Sequence, residues 1–485
     1  MSSREIIEKS VEKRRERFLH ISDRIWDCAE TAFQESVSSK LLAEALEQEG
    51  FTIEWCVGGL PTAFRAVWGS GRPVIAILGE YDALPGLSQM SGLAEKCPIK
   101  EGANGHGCGH NLLGAGALAG AVALMEYLKE TGRQGTVVYY ATPAEENGCG
   151  KNIMAGAGAF AGIDCALSWH PSTTNEVRTG RRTANYSRIY NFRGTASHAG
   201  MTPYLGRSAL DACELMSVGV NYLREHIIPE ARVHYAYLNA GGPAPNVVQD
   251  HASVRYLIRA PFLQQASEIV QRVDQIAEGA ALMTGTKAEI IQDSACSDYL
   301  PNAVLSEAMI SAMEELGLPA RTEGEYDLAR QFVASLTLAE RKALESRVIQ
   351  SCGYGRLEEV LRSPIDNFIK AFDRAENASM IRYGSTDLGD VGYIAPTTSC
   401  MIATAAMGTA SHTWQMTAQG KTLLSHEGVL YAGKVIALTG ARLIEEPEIL
   451  AAAKEEFMAR NEGRYICPIY KNSLPNNKTK GSYSL

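Results

Sequence analysis

Cys108 and His110 stand one residue apart in Gly105-His106-Gly107-Cys108-Gly109-His110-Asn111, a glycine-rich turn ahead of a helix-forming run. Residues at that spacing project to the same side of an extended segment. A thiolate beside an imidazole is a metal pair, suited to zinc or another transition ion rather than to magnesium or calcium. Three further segments place potential ligands after apolar runs: Pro143-Ala144-Glu145-Glu146, Trp169-His170-Pro171 and Ser411-His412-Thr413. Together they point to a metal-dependent hydrolase.

Each candidate has a plainer reading. Glu145 and Glu146 taken alone read as a solvated charge pair. At a strand end, however, adjacent carboxylates face different ways. One can hold metal while the other faces substrate and takes a proton from metal-bound water. His170, alone, is as well explained as a hydrogen-bonded core histidine. His412 follows the apolar run 400–408, and its rival as the last ligand is His426, within or just ahead of a helix pattern. His412 is favoured because it occupies a strand-end loop, like the other candidates. His106 is close to the pair, but a loop-packing role suits it better. Asp82 reads either as a turn residue or as the carboxylate that orients a ligand histidine. His198, in Ala196-Ser197-His198-Ala199-Gly200, reads as an exposed loop histidine, and Asn246 as a turn asparagine.

The elements that must position these residues alternate. Residues 4–50 have helical spacing of apolar positions. Val74-Ile75-Ala76-Ile77-Leu78 is a short apolar run of the kind covered on both faces. Residues 136–142 and 166–169 read as further strands, with a small-residue helix over 112–128. This predicts an α/β catalytic domain with an open mixed sheet, whose ligands gather beyond the carboxyl ends of the strands. Residues 187–283 change to a β-α-β-β-α-like pattern, the size of a small inserted α+β domain. The α/β pattern then resumes with a strand-like run over 399–407 and a helix over 428–443. The expected divisions are 1–185, 186–298 and 299–465, with a charged helical excursion over 317–380 and a polar, frayed tail over 466–485.

With 485 residues, the chain is too long for one ordinary core. A net charge of −9 argues against a nucleic-acid surface. No run of about 20 apolar residues predicts a spanning helix, and the charged N-terminal stretch lacks a signal-peptide core. A cytoplasmic location, with no membrane or nucleic-acid partner, is the expectation. The eleven cysteines are scattered without a paired framework, as suits a reducing compartment.

Taken together, these motifs resemble the aminoacylase/carboxypeptidase G family of di-metal amidohydrolases, in its Cys-ligand branch. The resemblance also covers Ile25-Trp26, Glu30, Phe33, Glu35, Asp82-Ala83-Leu84-Pro85 and Pro245-Asn246-Val247-Val248. The helical excursion, Gly384-Ser385-Thr386-Asp387-Leu388-Gly389-Asp390-Val391 and His412-Thr413-Trp414-Gln415 look most like the aminobenzoyl-glutamate hydrolases. The resemblance implies two divalent ions, manganese or zinc, held by Cys108, His110, Glu146, His170 and His412, with Glu145 as general base and acid. It implies that the small domain is both lid and dimerisation domain. His198 would then reach the partner's active site and polarise the scissile carbonyl, with Asn246 near the same pocket. The implied substrate is an N-aroyl or N-acyl amino acid such as p-aminobenzoyl-glutamate. Trp169, Trp414 and Tyr393 lie in or near the site segments, where an aroyl group could pack on them. The substrate carboxylate would need a cation, for which Arg178, Arg207 and Arg259 are candidates. The implied assembly is a homodimer, or a heterodimer with a related subunit. Alternatives are a dipeptidase, an aryl-amine hydrolase, or a non-catalytic subunit of a hetero-oligomeric hydrolase. Asn111 and Glu80 depart from the family pattern.

Overall fold

A computed structural model describes residues 1–460 and 465–469. The tail expected over 466–485 lies, from residue 470, outside the described residues. The chain divides into two compact units.

The first unit holds Met1–Gly180, Pro301–Ala378 and Val391–Tyr465. Its seven-stranded mixed sheet runs Thr52–Trp55, Phe64–Ser70, Gly135–Ala141, Val74–Gly79, Cys165–Ser172, Thr397–Ala403, Glu176–Val177. The middle four strands are parallel, and the outer ones pair antiparallel. Parallel strands must be covered on both faces, and these are nearly continuous apolar runs for that reason. All four therefore end on one edge of the sheet.

The helix His110–Thr131 crosses the core and is buried along nearly its whole length. By length and composition it could cross a membrane, contrary to the expectation from the apolar runs, yet 94% of its apolar window lies inside the protein. Its alanines and glycines let neighbours approach closely. A Cβ on Gly116 would lie 2.6 Å from the ring of Trp169, itself fully buried. Trp169 Nε1 donates to the Leu113 carbonyl at 2.9 Å. That contact fixes the helix that starts at His110 against the strand that carries His170.

The helical excursion is present as Glu323–Ser335, Leu338–Cys352, Leu357–Arg362 and Arg374–Ser379. Thr322 and Thr337 cap the first two, each in a capping box with the glutamate three residues on. The helix expected over 428–443 spans Leu423–Glu445, and a further one, Pro447–Arg460, follows it.

The second unit holds Arg181–Leu300 and Ser379–Asp390, with residues 466–469. Its antiparallel sheet runs Lys287–Cys296, Ala184–Arg193, His251–Ala260, Arg232–Asn239. The helices Ala209–Leu223 and Leu263–Thr284 pack on it through Val220, Val270 and Val273, burying Tyr190, Val254 and Tyr256. The sequence pattern stops at the second helix, whereas the structure adds the strand Lys287–Cys296. Its polar, edge position hides the usual strand signal.

Gly116→Val tests the packing of the central helix. Forcing a branched side chain against Trp169 should cost about 1–3 kcal/mol. Urea denaturation would read this as a lower midpoint with an unchanged slope. An unchanged midpoint would contradict the close contact.

Candidate metal centre

Four strand ends supply the site. Glu80 and Asp82 follow Val74–Gly79, and Glu145 and Glu146 follow Gly135–Ala141. His170 lies near the end of Cys165–Ser172, and His412 comes after the loop beyond Thr397–Ala403. Cys108 and His110 enter from the turn that opens the central helix. Two non-glycine residues here take left-handed backbone angles, Ala144 (φ 60°) and His412 (φ 62°). Such conformations cost about 1–3 kcal/mol each and persist only when their surroundings hold them. The Ala144 N–H donates to Glu35 Oε1 at 2.9 Å, and the His412 N–H to the Gly107 carbonyl at 2.7 Å.

The ligand atoms of Cys108, His110 and His170 lie within 4.8 Å of one another, as do those of Cys108, Glu146 and His412. The two groups share Cys108 and between them contain all five expected ligands. A third group joins Glu80, His110 and Glu145 within the same distance. Cys108, His110 and Glu146 are buried or nearly so, whereas the His412 side chain is 54% exposed.

Hydrogen bonds decide which ring nitrogens are offered. His170 Nδ1 donates to the Pro171 carbonyl at 2.7 Å, and its Nε2 lies 3.6 Å from Cys108 Sγ. His110 Nδ1 donates to Asp82 Oδ1 at 2.9 Å. Asp82 Oδ2 accepts the Glu146 N–H at 3.0 Å, so one carboxylate orients two candidate ligands. His110 Nε2 and Glu146 Oε1 are buried and find no hydrogen-bond partner among the described residues. A buried ring nitrogen and a carboxylate oxygen left over beside a thiol fit a borderline-soft divalent cation.

Protons occupy this space when no cation does. Burial opposes a charge on His110, but Cys108 and Asp82 outweigh it and lift its pKa well above the usual range. His412 is pushed up to about 10 by its hydrogen bonds with Cys108 and Glu146. A cation held by these residues would have to displace protons.

The remaining candidates sort by geometry. His106 Nε2 donates to the Ile25 carbonyl at 3.0 Å, and burial pushes its pKa down to about 4. His426 pairs with Asp23 at 2.8 Å. Asn111, one residue beyond His110, turns away to bond Ser22 and the Gly420 carbonyl. Trp169 is spent on the central helix and offers no face to a ligand. Arg178 Nε donates to the Met401 sulfur at 3.2 Å. In the second unit, Arg207 is committed to the carbonyls of Tyr204 and Gly206, and Arg259 to Tyr383 and Ser385. His198 and Asn246 are exposed there, on segments joined by the Ala199 N–H to the Asn246 carbonyl at 2.9 Å. His198 Nδ1 accepts two backbone N–H groups, from Gly200 and Met201. Its neutral ring therefore carries the proton on Nε2.

Sequence reasoning gave no role to two buried residues at this site. Lys151 is fully buried, with Nζ 2.6 Å from Glu80 Oε1. Glu80 Oε2 lies 3.3 Å from His110 Nε2. Burial works against the Glu80 charge, but Lys151 and His110 prevail and hold its pKa below the usual value. Glu35, quoted only for family likeness, holds the 143–146 turn through Ala144 and accepts from Thr62. Burial, then Asp82, pushes its carboxyl up to about 8. Only the position of Lys151 just after Glu145-Glu146 could have drawn attention to it, and nothing in the local pattern marks it as buried.

Known proteins resemble this chain in sequence and fold. The family model "Peptidase family M20/M25/M40" matches residues 76–324. One subunit of the p-aminobenzoyl-glutamate hydrolase of Escherichia coli K12 is 44% identical over 473 residues, covering 97% of this chain and 98% of its own. A mouse Xaa-Arg dipeptidase is 28% identical, over 93% of this chain and 91% of its own. A dinuclear metal binding peptidase of Bacillus subtilis shares the fold, with TM-score 0.55 and 18% identity, over 90% of this chain and 99% of its own. With candidate ligands gathered at the strand ends and a relative aligned along almost its whole length, the chain belongs to peptidase family M20/M25/M40 and is a metal-dependent enzyme that hydrolyses amide bonds.

Proposed function

We propose that this enzyme cleaves the amide bond of N-aroyl amino acids of the p-aminobenzoyl-glutamate type, with other N-acyl amino acids as slower substrates. The observation that carries the reading is the pair of ligand groups sharing Cys108 beside the Glu145-Glu146 turn. The 44% identical hydrolase relative supports the substrate class. Cys108, His110, Glu146, His170 and His412 would hold two divalent ions, zinc by the softness of the thiolate or manganese. Bound there, such ions stabilise developing negative charge and make water acidic at neutral pH. Asp82 orients His110 and the Glu146 backbone. Glu145 takes the proton of the attacking water and hands it to the leaving amine.

His198 offers its Nε2–H to the scissile carbonyl oxygen, from the partner protomer of a dimer, with Asn246 alongside. The dimer reading rests on the second unit's edge strand, Arg232–Asn239, where Tyr235, Tyr237 and Leu238 are exposed. Leu215, Val218 and Tyr222 are exposed on the helix Ala209–Leu223. An open edge with apolar side chains is a template for a second chain. We take that chain to be a second copy. A related but different chain is the alternative, supported by the 44% identical relative being named as one of the subunits of its hydrolase. The Xaa-Arg dipeptidase relative favours a dipeptide as the second substrate reading. A cytoplasmic setting completes the proposal, in keeping with ten described cysteines that are free thiols.

Glu145→Gln should lower turnover by about 10²–10⁴ while metal content stays at the wild-type level. Glu146→Gln should lose metal. Equal metal loss in both, measured by mass spectrometry, would overturn the division of roles and make Glu145 a ligand.

Mixing His198→Ala with Glu145→Gln should restore activity through hybrid dimers, since one chain brings an intact base and the other an intact histidine. No recovery after confirmed protomer exchange would refute action across the dimer.

The ratio of kcat/KM for p-aminobenzoyl-glutamate to that for acetyl- and β-alanyl-amino acids should favour the aroyl substrate. A preference for dipeptides would move the assignment to the second reading.

A further inference from the structure

His412 differs from the other candidate ligands. It is half exposed, its backbone is left-handed, and it closes a loop rather than ending a strand. A ligand so placed needs something to hold it, and the inserted helices grip the loop at several points. Gly408 has φ +88°, and a Cβ there would lie 2.7 Å from Leu336 Cδ1 and 3.0 Å from Leu344 Cδ2. Met407 is buried in a cluster with Leu344 and Val348. Its N–H donates to the Pro364 carbonyl at 2.8 Å. Past His412, Trp414 packs on Phe332 with ring centroids 6.4 Å apart. Where the excursion ends, Asp366 Oδ2 accepts the Asn175 N–H at 2.7 Å, and Asn175 Oδ1 accepts the Ala403 N–H at 3.0 Å. The excursion thus ties together the ends of the His170 strand and of the strand that leads to His412.

We propose that the excursion is a brace for the metal centre, with Leu344 a positioning residue that acts through Gly408 to set His412. Its consequence is selective. The cation held by Cys108, Glu146 and His412 depends on the Leu344–Gly408 contact, whereas the one held by Cys108, His110 and His170, with His170 set in the sheet, does not. A purely structural insertion would affect both ions equally or neither. The inference rests on the ligand assignment of the proposed function.

The test loads the full-length protein with zinc, dialyses it against graded chelator and measures bound zinc per chain. Wild type should hold two ions, and His412→Ala should release one readily. If His412→Ala keeps both, the ligand assignment fails, and the brace with it. If it loses one, Leu344→Ala should release the same ion at about 10–100-fold lower chelator, the range seen when residues that orient a ligand are removed. Leu344→Met should restore retention. Thermal melting is recorded in parallel. A lowered melting temperature with both ions held as in wild type would overturn the brace. If Leu344→Ala does not fold, Gly408→Ala, which pushes a methyl group against Leu336, takes its place. Its failure to weaken one ion selectively would overturn the brace equally.

Discussion

The centre depends on one buried carboxylate. Asp82 is almost wholly enclosed, and its two oxygens reach in different directions. One fixes the His110 ring and the other fixes the backbone of Glu146. Three elements are joined there: the end of Val74–Gly79, the start of the central helix, and the turn after Gly135–Ala141. A charge-assisted hydrogen bond in a dry setting is among the stronger polar contacts a protein makes. It also fixes the tautomer, so that His110 presents Nε2 to the site. Without that bond the imidazole could rotate, and the 143–146 turn would have one anchor fewer.

Charge is the second constraint. Glu80, Asp82, Glu145, Glu146 and the Cys108 thiol crowd into a small, mostly buried volume. Burying such groups without compensation is prohibitively costly. The protein answers in three ways. Lys151 neutralises Glu80 from within the core. Burial and the Asp82 charge push the Glu35 carboxyl up to about 8, which favours its neutral form. The neighbouring thiol and carboxylates raise the pKa of His110 and His412, so that their rings favour the charged form. Glu80 then reads as a carboxylate claimed by Lys151 on one side and facing His110 on the other.

The parallel strands were legible because burial on both faces leaves unbroken apolar runs, as in 74–78, 136–142 and 166–169. Ligand candidates were legible because polar residues directly after such runs have few structural reasons to be there. Edge elements were not. Thr52–Trp55 and Lys287–Cys296 are half exposed and polar, and the latter is bulged near Gln292, so their alternation is blurred. Lys151 was invisible for another reason. Its burial depends on Glu80, which the chain brings up from a different strand, and no local pattern encodes that meeting. Trp169 looked like a wall of the substrate site because it adjoins His170. Alternation along the strand sends it to the opposite face, against Gly116.

His170 and His412 are far apart in sequence but follow from neighbouring strands. Their strands lie side by side in parallel register, with His170 opposite Met401. The second unit and the helical excursion both lie between them in the chain. A parallel pair needs a crossover of at least about a dozen residues and sets no upper limit. The entropy of closing a longer connection grows only slowly. Long insertions at this point therefore leave the strand ends where they were. They do not by themselves place the loop beyond Thr397–Ala403, which leaves the sheet before it reaches His412. That loop takes its position from local contacts: the Gly107 carbonyl at His412, Gln419 beneath Ala406 and Thr409, and the inserted helices over Met407 and Gly408. The sheet thus fixes His170 through its own hydrogen bonds, whereas His412 is held by loop contacts to which the insertion adds its packing.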